Sequence, residues 1–185
     1  WVQKIEKLAP TKPEVQPKKH HKVLVFSLFT GFNHWVVPHT DAVMKVLAKK
    51  TGAFEVEFSN DIYKFETKNL KDYDAVVLNN NCSVGPRRDL LLDVLDKDPN
   101  LTEDQRKAKA AELEANLIEY VKKGGGLMVV HGAIVMQNNS MPFSEMVGGS
   151  FDYHPAQQEV SLELCEPNHQ LVKAFGGKSF VHVDE

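Results

Sequence analysis

The sequence predicts an α/β protein, a three-layer sandwich built around a mainly parallel sheet. Three observations carry that expectation. The apolar runs Val23–Leu28, Ala75–Leu78 and Leu127–Val130 are short and end at polar or glycine-bearing segments, as fully buried parallel strands do. Between them lie stretches with apolar residues at helical spacing, long enough to cross over a sheet face. The chain has no internal repeat and no low-complexity tract that would point to a solenoid or a disordered protein.

Bulk properties narrow the class. At 185 residues, with 42% hydrophobic and 25% charged side chains, the chain has the composition of one globular domain. A formal net charge of -3 offers no basic surface to nucleic acid or an anionic membrane. No apolar run approaches the roughly 20 residues that a membrane helix needs, so membrane insertion is not expected. Cys82 and Cys165 form neither a zinc pattern nor a disulfide framework, and read as two free thiols, with a single bridge left open.

In chain order, residues 1–21 contain Pro10, Pro13 and Pro17 with many lysines, and read as an extended arm or linker before a domain of residues 22–185. Trp1 is not a natural start residue, so an export signal is expected to have preceded this arm, and the location expected is periplasmic or secreted, with cytoplasmic as the alternative. The Val23–Leu28 strand ends in a polar loop, Thr30 to Trp35. Pro38 then opens a helix whose apolar face is Ala42, Val43, Val46 and Leu47, and Gly52 closes it. Phe54, Val56 and Phe58 alternate with Glu55 and Glu57, the pattern of a half-buried strand. The Ala75–Leu78 strand runs into Asn79, Asn80 and Asn81. Leu90, Leu91, Val94 and Leu95 mark one helix. Pro99 interrupts the pattern, and Thr102 with Gln105 forms a capping box for a second helix, which buries Leu113, Leu117, Ile118 and Val121 and stops at Gly124. After Leu127–Val130 come one or two helical turns at 143–147. A strand around Val160–Leu164 has one wet face. Leu171–Phe175 reads as a short helix, and Phe180–Val183 as a last strand.

Chemistry is expected where strands end, because open α/β sheets bind ligands beyond the carboxyl ends of their strands. His34 and His131 each follow a buried strand, so parallel strands would bring both imidazoles to one edge. His154 follows a glycine pair in another polar loop, and Asp184 and Glu185 end the last strand. Imidazole suits acid–base work near neutrality and also ligates metals, and a carboxylate pair can act as base or hold sugar hydroxyls. Any one of these histidines alone is more simply read as bonded to its own loop; their convergence is what makes a site. His34, His131 and His154 are the candidate metal ligands and a divalent ion the candidate cofactor, although no close-spaced motif such as H-E-x-x-H is present. Asn33, Trp35, Asn79, Asn80 and Gly132 line the same strand ends and are the candidate substrate-binding residues. Trp35 with Phe32 offers an aromatic platform, though loop aromatics as often serve the core. Gly124–Gly126 precede their strand and lack a following Gly-Lys-Ser/Thr, so they form no phosphate loop, and no nucleophile elbow surrounds Cys82.

These pieces in their order resemble the ThuA-like (trehalose utilisation) family, whose fold is that of class I glutamine amidotransferases, with flavodoxin-like relatives. The matching segments are Gly31-Phe32-Asn33-His34, then Tyr73 to Val77 leading into Asn79-Asn80, and then Tyr120 to Gly126 running into Val130-His131-Gly132-Ala133. After them come Val147 to Phe151 with His154-Pro155, Asn168-His169, and Val183-Asp184-Glu185. Where that fold usually carries a cysteine nucleophile, this chain has His131. The resemblance therefore implies loss of glutaminase chemistry and a carbohydrate ligand, with a 3-keto-sugar-producing oxidoreductase as pathway partner. It implies a hydrolase or lyase acting on a disaccharide or keto-glycoside. His131, His154 and His34 would do acid–base work, and Asp184 and Glu185 would bind hydroxyls or complete the site. The alternative is a non-catalytic carbohydrate-binding or scaffold domain. Two departures stand out. His169 is followed by Gln170 where the family often has proline, and members commonly continue past Asp-Glu, so the domain is expected to be truncated at its carboxyl end.

Overall fold

The structure is a computed structural model, and it describes residues 1–184. Four strands form a parallel sheet in the order β2-β1-β3-β4: β1 (Lys22–Phe26), β2 (Glu55–Ser59), β3 (Ala75–Asn79) and β4 (Gly126–Val130). The chain divides into two compact units, residues 1–151 with this sheet and residues 152–185, of which 152–184 are described.

β1 explains why the sheet needs helices on both faces. Leu24 and Phe26 enter one apolar cluster, while Val23 and Val25 enter another, and all four are buried. On the first face Leu24, Phe26, Val76 and Leu78 pack against α4 (Leu90–Leu95) and α5 (Glu103–Lys122), joined by Phe65 and by Phe143 of α6 (Met141–Val147). The expected helix pair is present, with Thr102 and Gln105 exchanging both capping-box hydrogen bonds at the start of α5. On the second face Val23, Val25 and Val77 meet Met44 of α2 (Val37–Thr51), together with Phe54 and Val56. A short helix, α3 (Thr67–Leu70), lies on the crossover from β2 to β3. Right-handed crossovers that leave β1 in one direction for β2 and cross back for β3 put successive helices on opposite faces. The carboxyl ends of β1 and β3 thereby become a topological switch point.

Several local expectations are corrected. β4 is not fully buried: it is an edge strand of this sheet, and Met128 is 55% exposed. Phe58 shares a face with Val56 by alternation, yet at the opposite edge it stays exposed. Along α2 only Val46 is fully buried; Val43 is exposed, and Met44 makes the sheet contact instead. The arm is not extended throughout, because Val2–Leu8 form a helix, α1, packed along α2. The Lys50 ammonium donates to the carbonyls of Glu6 and Ala9 at 2.5 and 2.6 Å, so a cation closes the carboxyl end of α1.

In the second unit β5 (Gln158–Leu162) pairs antiparallel with β6 (Phe180–Asp184), and the rings of Phe175 and Phe180 stack at 4.9 Å. The strands expected here are present, but they form a sheet of their own, so Asp184 is not at an end of a parallel-sheet strand. Glu185 lies outside the described residues. Cys82 is buried and Cys165 exposed, and both are free thiols. No helix among the described residues is long and apolar enough to cross a membrane.

Candidate functional site at the carboxyl edge of the sheet

Beyond β1 the chain turns through Thr30–Trp35 into α2, and beyond β4 it enters a tight 3-10 turn at His131–Val135. These two connections bring His34 and His131 together, with ring centroids 4.7 Å apart and the rings edge to face. His131 holds φ at 45°, a left-handed conformation that costs an L-residue about 1–2 kcal/mol. That kink leaves its imidazole exposed at the end of an edge strand. The next residue has to be glycine. A Cβ on Gly132 would lie 2.5 Å from Nε2 of His34, so the buried Gly132 makes the space that the half-buried His34 ring occupies. Phe32 packs on the other side of His34, with centroids at 4.8 Å.

The loop that carries His34 is tied down from below. The amides of Thr30 and Gly31 both donate to the carbonyl of Cys82, at 3.0 and 2.9 Å. Asp93, 7% exposed on α4, accepts from the Thr30 hydroxyl at 2.5 Å, the Val84 amide at 3.1 Å and the Arg87 guanidinium. Hydrogen bonds from Arg87 to Asp93, and then to Asp96, raise the guanidinium pKa further above its ordinary value. One buried carboxylate thus joins the loops after β1 and β3.

The asparagines after β3 have a different role from the one the sequence suggests. Asn79 is fully buried, and its amide donates to Asp41 at 2.8 Å, the Ser27 hydroxyl at 3.1 Å and the Val37 carbonyl at 3.2 Å. It fastens the start of α2 to β1 and β3. Asn80, 1% exposed with φ at 55°, donates to Oδ1 of Asn79 at 2.7 Å. Asn81 donates to the carbonyls of Phe26 and Leu28 at 3.1 and 2.8 Å. Asn79 and Asn80 are therefore framework groups beneath the histidines, not a surface open to hydroxyls. Sequence reasoning missed Asn81, Thr30 and Asp93 as supports, since nothing local distinguishes Asp93 from Asp89 and Asp96, the acids that flank its helix.

Of the remaining candidates, Asn33 and Trp35 are exposed on the His34 loop, Trp35 by 75%. His154 and Asp184 are exposed in the second unit, so the first unit alone assembles only the His34–His131–Gly132 group. His169 caps a 3-10 turn there, its Nδ1 accepting from the Leu171 amide at 3.2 Å. Among the described residues no three His, Cys, Asp or Glu side chains gather as a metal ion would require. The pair can instead donate and accept protons at one spot. A cleft of about 350 Å³ at the opposite edge, lined by Tyr73, Asp74, Tyr120 and Lys123, has no such pair.

A solved structure of a ThuA-like protein from Bacteroides uniformis ATCC 8492 superimposes with a TM-score of 0.59 at 19% identity, a likeness of fold. It is matched over 94% of this chain and 62% of its own, so the present chain spans less than two thirds of that protein's length. No curated protein is significantly similar to the chain. The model of the ThuA family, described as trehalose utilisation, matches residues 22–185, which is all of the chain after the arm, and the chain belongs to that family.

Proposed function

We propose that the chain acts on a disaccharide or its 3-keto derivative, with His131 and His34 as the proton-transferring groups. The family places the protein in sugar metabolism. The observation that supports the finer reading is the edge-to-face histidine pair at the carboxyl edge, one ring exposed on a strained backbone and the other seated over Gly132. A ketone at C3 of a glycoside acidifies the C2–H bond. His131 takes that proton, the C1=C2 double bond forms as the C1–O bond breaks, and the departing oxygen takes its proton from His34. Adding water across the double bond then completes hydrolysis, and omitting that addition gives a lyase. General acid–base catalysis of this kind is worth about 10²–10⁴-fold. No step needs a thiol nucleophile, in keeping with His131 in the place where a glutaminase would carry one.

The test incubates the protein with trehalose and with 3-keto disaccharides and follows release of the second sugar. Turnover of the keto substrate that falls at least a hundredfold in His131→Ala is the expected result. Wild-type turnover that is absent, with sugar still bound, overturns the enzyme reading in favour of a carbohydrate-binding module, which the exposed aromatics Phe32 and Trp35 would suit. Turnover intact in His131→Ala overturns the residue assignment alone.

A further inference from the structure

We propose that the amino-terminal arm is part of the sugar site, and that Trp1, His39 and Trp35 form an aromatic shelf for the second ring of a disaccharide-sized glycoside. The arm lies outside residues 22–185, which the family model matches. It joins β1 at the amino edge of the sheet, where Lys19 and His21 pair with Asp74 and His20 bonds Glu55. Its far end nevertheless reaches the carboxyl edge. Trp1 packs on His39 in the first turn of α2 with centroids 3.8 Å apart and the rings tilted by 31°, and the bonds from Lys50 to Glu6 and Ala9 hold the other end of α1 against the last turn of α2. The two helices therefore run alongside in the same direction, and α1 carries Trp1 to the edge where the site lies.

Trp35 meets the same His39 ring edge-on at 5.2 Å, so His39 sits between the two tryptophans. Nδ1 of His39 is buried and has no hydrogen-bond partner among the described residues, and the ring's contacts on this side are its aromatic neighbours. Trp1 stays 53% exposed and Trp35 75% exposed, a large apolar area to leave in water. Trp35 directly follows His34 in the chain, and His34 contacts Phe32 and His131, so one loop carries both a member of the shelf and a member of the histidine pair. A pyranose has one apolar C–H face and a rim of hydroxyls, and suits an exposed aromatic ring with an open border. With one ring of a glycoside at the histidines, the adjoining ring falls on the shelf. This inference rests on the carbohydrate reading above.

The chain has two tryptophans, and both are in the shelf, so intrinsic fluorescence reports on it directly. Trehalose, 3-keto trehalose and glucose are titrated into the full chain, with calorimetry as a second readout. A fluorescence shift with the disaccharides is expected. Trp1→Ala should weaken disaccharide affinity about fivefold and leave glucose affinity unchanged, and Trp1→Phe should restore most of the loss. Disaccharide affinity unchanged in Trp1→Ala overturns the shelf while the sugar reading stands. Equal weakening of disaccharide and glucose, with a lowered melting temperature, also overturns it and leaves the arm a structural strap. No sugar bound by the wild type in calorimetry overturns both readings together.

Discussion

Lys22, Glu57, Lys64 and Tyr73 meet toward the amino edge of the sheet as a closed group. Glu57 takes an ammonium on each oxygen, at 2.7 and 2.6 Å, and both ammonium groups approach the Tyr73 ring. Beside them Asp74 pairs with Lys19 and accepts from the Lys22 amide, and the Tyr120 hydroxyl donates to the Tyr73 carbonyl. The pKa shifts there follow from partners and burial. Hydrogen bonds from Lys22 and Lys64 hold the Glu57 carboxyl down at about 2, while burial, with the charge of Asp74, pushes the Tyr120 phenol up to about 12. The carboxyl edge is built oppositely. The three non-glycine residues with positive φ among those described, Asn80, Arg88 and His131, follow β3 or β4. Three of the four buried side-chain polar atoms without a partner among the described residues, Oδ1 of Asn80 and Asn81 and Nδ1 of His39, lie there too. One edge of a single sheet satisfies its polar groups and the other stores strain and leaves groups unmet. Strain of this kind persists only where the surrounding structure holds it in place, and it concentrates at functional sites.

Gly132→Ala is the sharpest way to break this contrast. The new Cβ would displace the His34 ring while the fold around it survives, because a side-chain tip can move. Turnover of a keto disaccharide, or affinity if the protein only binds, should fall on the order of a hundredfold with a small change in melting temperature. A collapse of stability with no specific loss of function would instead make this glycine a packing residue. Gly125→Ala should do the reverse at the amino edge. Its Cβ would collide with the Tyr120 ring, whose hydroxyl is already bonded, and should cost about 1–3 kcal/mol in denaturant unfolding while sugar handling stays unchanged. Loss of function there would erase the distinction between the edges. Glu57→Gln is the mildest test. The folded pKa of Glu57 lies below its ordinary value of 4.5, so its stabilisation is complete above that pH and is lost as the pH falls to about 2. The carboxylate is 30% exposed, so the gap between wild type and variant should be no more than about 1 kcal/mol at neutral pH, closing across that acidic window. A gap that does not change with pH would show that the ion pairs contribute packing rather than charge.

His34 and His131 were legible as a pair because two apolar runs and their polar exits are local signals, and parallel strands align their carboxyl ends without further information. Asn79 and Asn80 carried the same local signal and turned out to be buried fasteners. Nothing in an Asn-Asn-Asn run reveals that Asp41, Ser27 and Val37 wait to accept its hydrogen bonds. Asp184 was misplaced for a related reason. An apolar strand shows that it pairs, but not with which partner, and β6 pairs with β5. The helix in the arm was hidden by composition, since Pro10, Pro13 and Pro17 dominate the segment while the contacts that hold α1 are offered by α2.

By itself the sequence determined the alternation of strands and helices, the capping box of α5, the helix stops at Gly52 and Gly124, and the family. These depend on residue spacing and backbone preference over a few positions. Only the tertiary structure decided which strands are edges, which polar groups are buried, that Gly132 yields its Cβ space to His34, and that Trp1 reaches His39. Each of these is a contact between residues distant in the chain. Such contacts exist only after loop closure, and local periodicity carries no information about them.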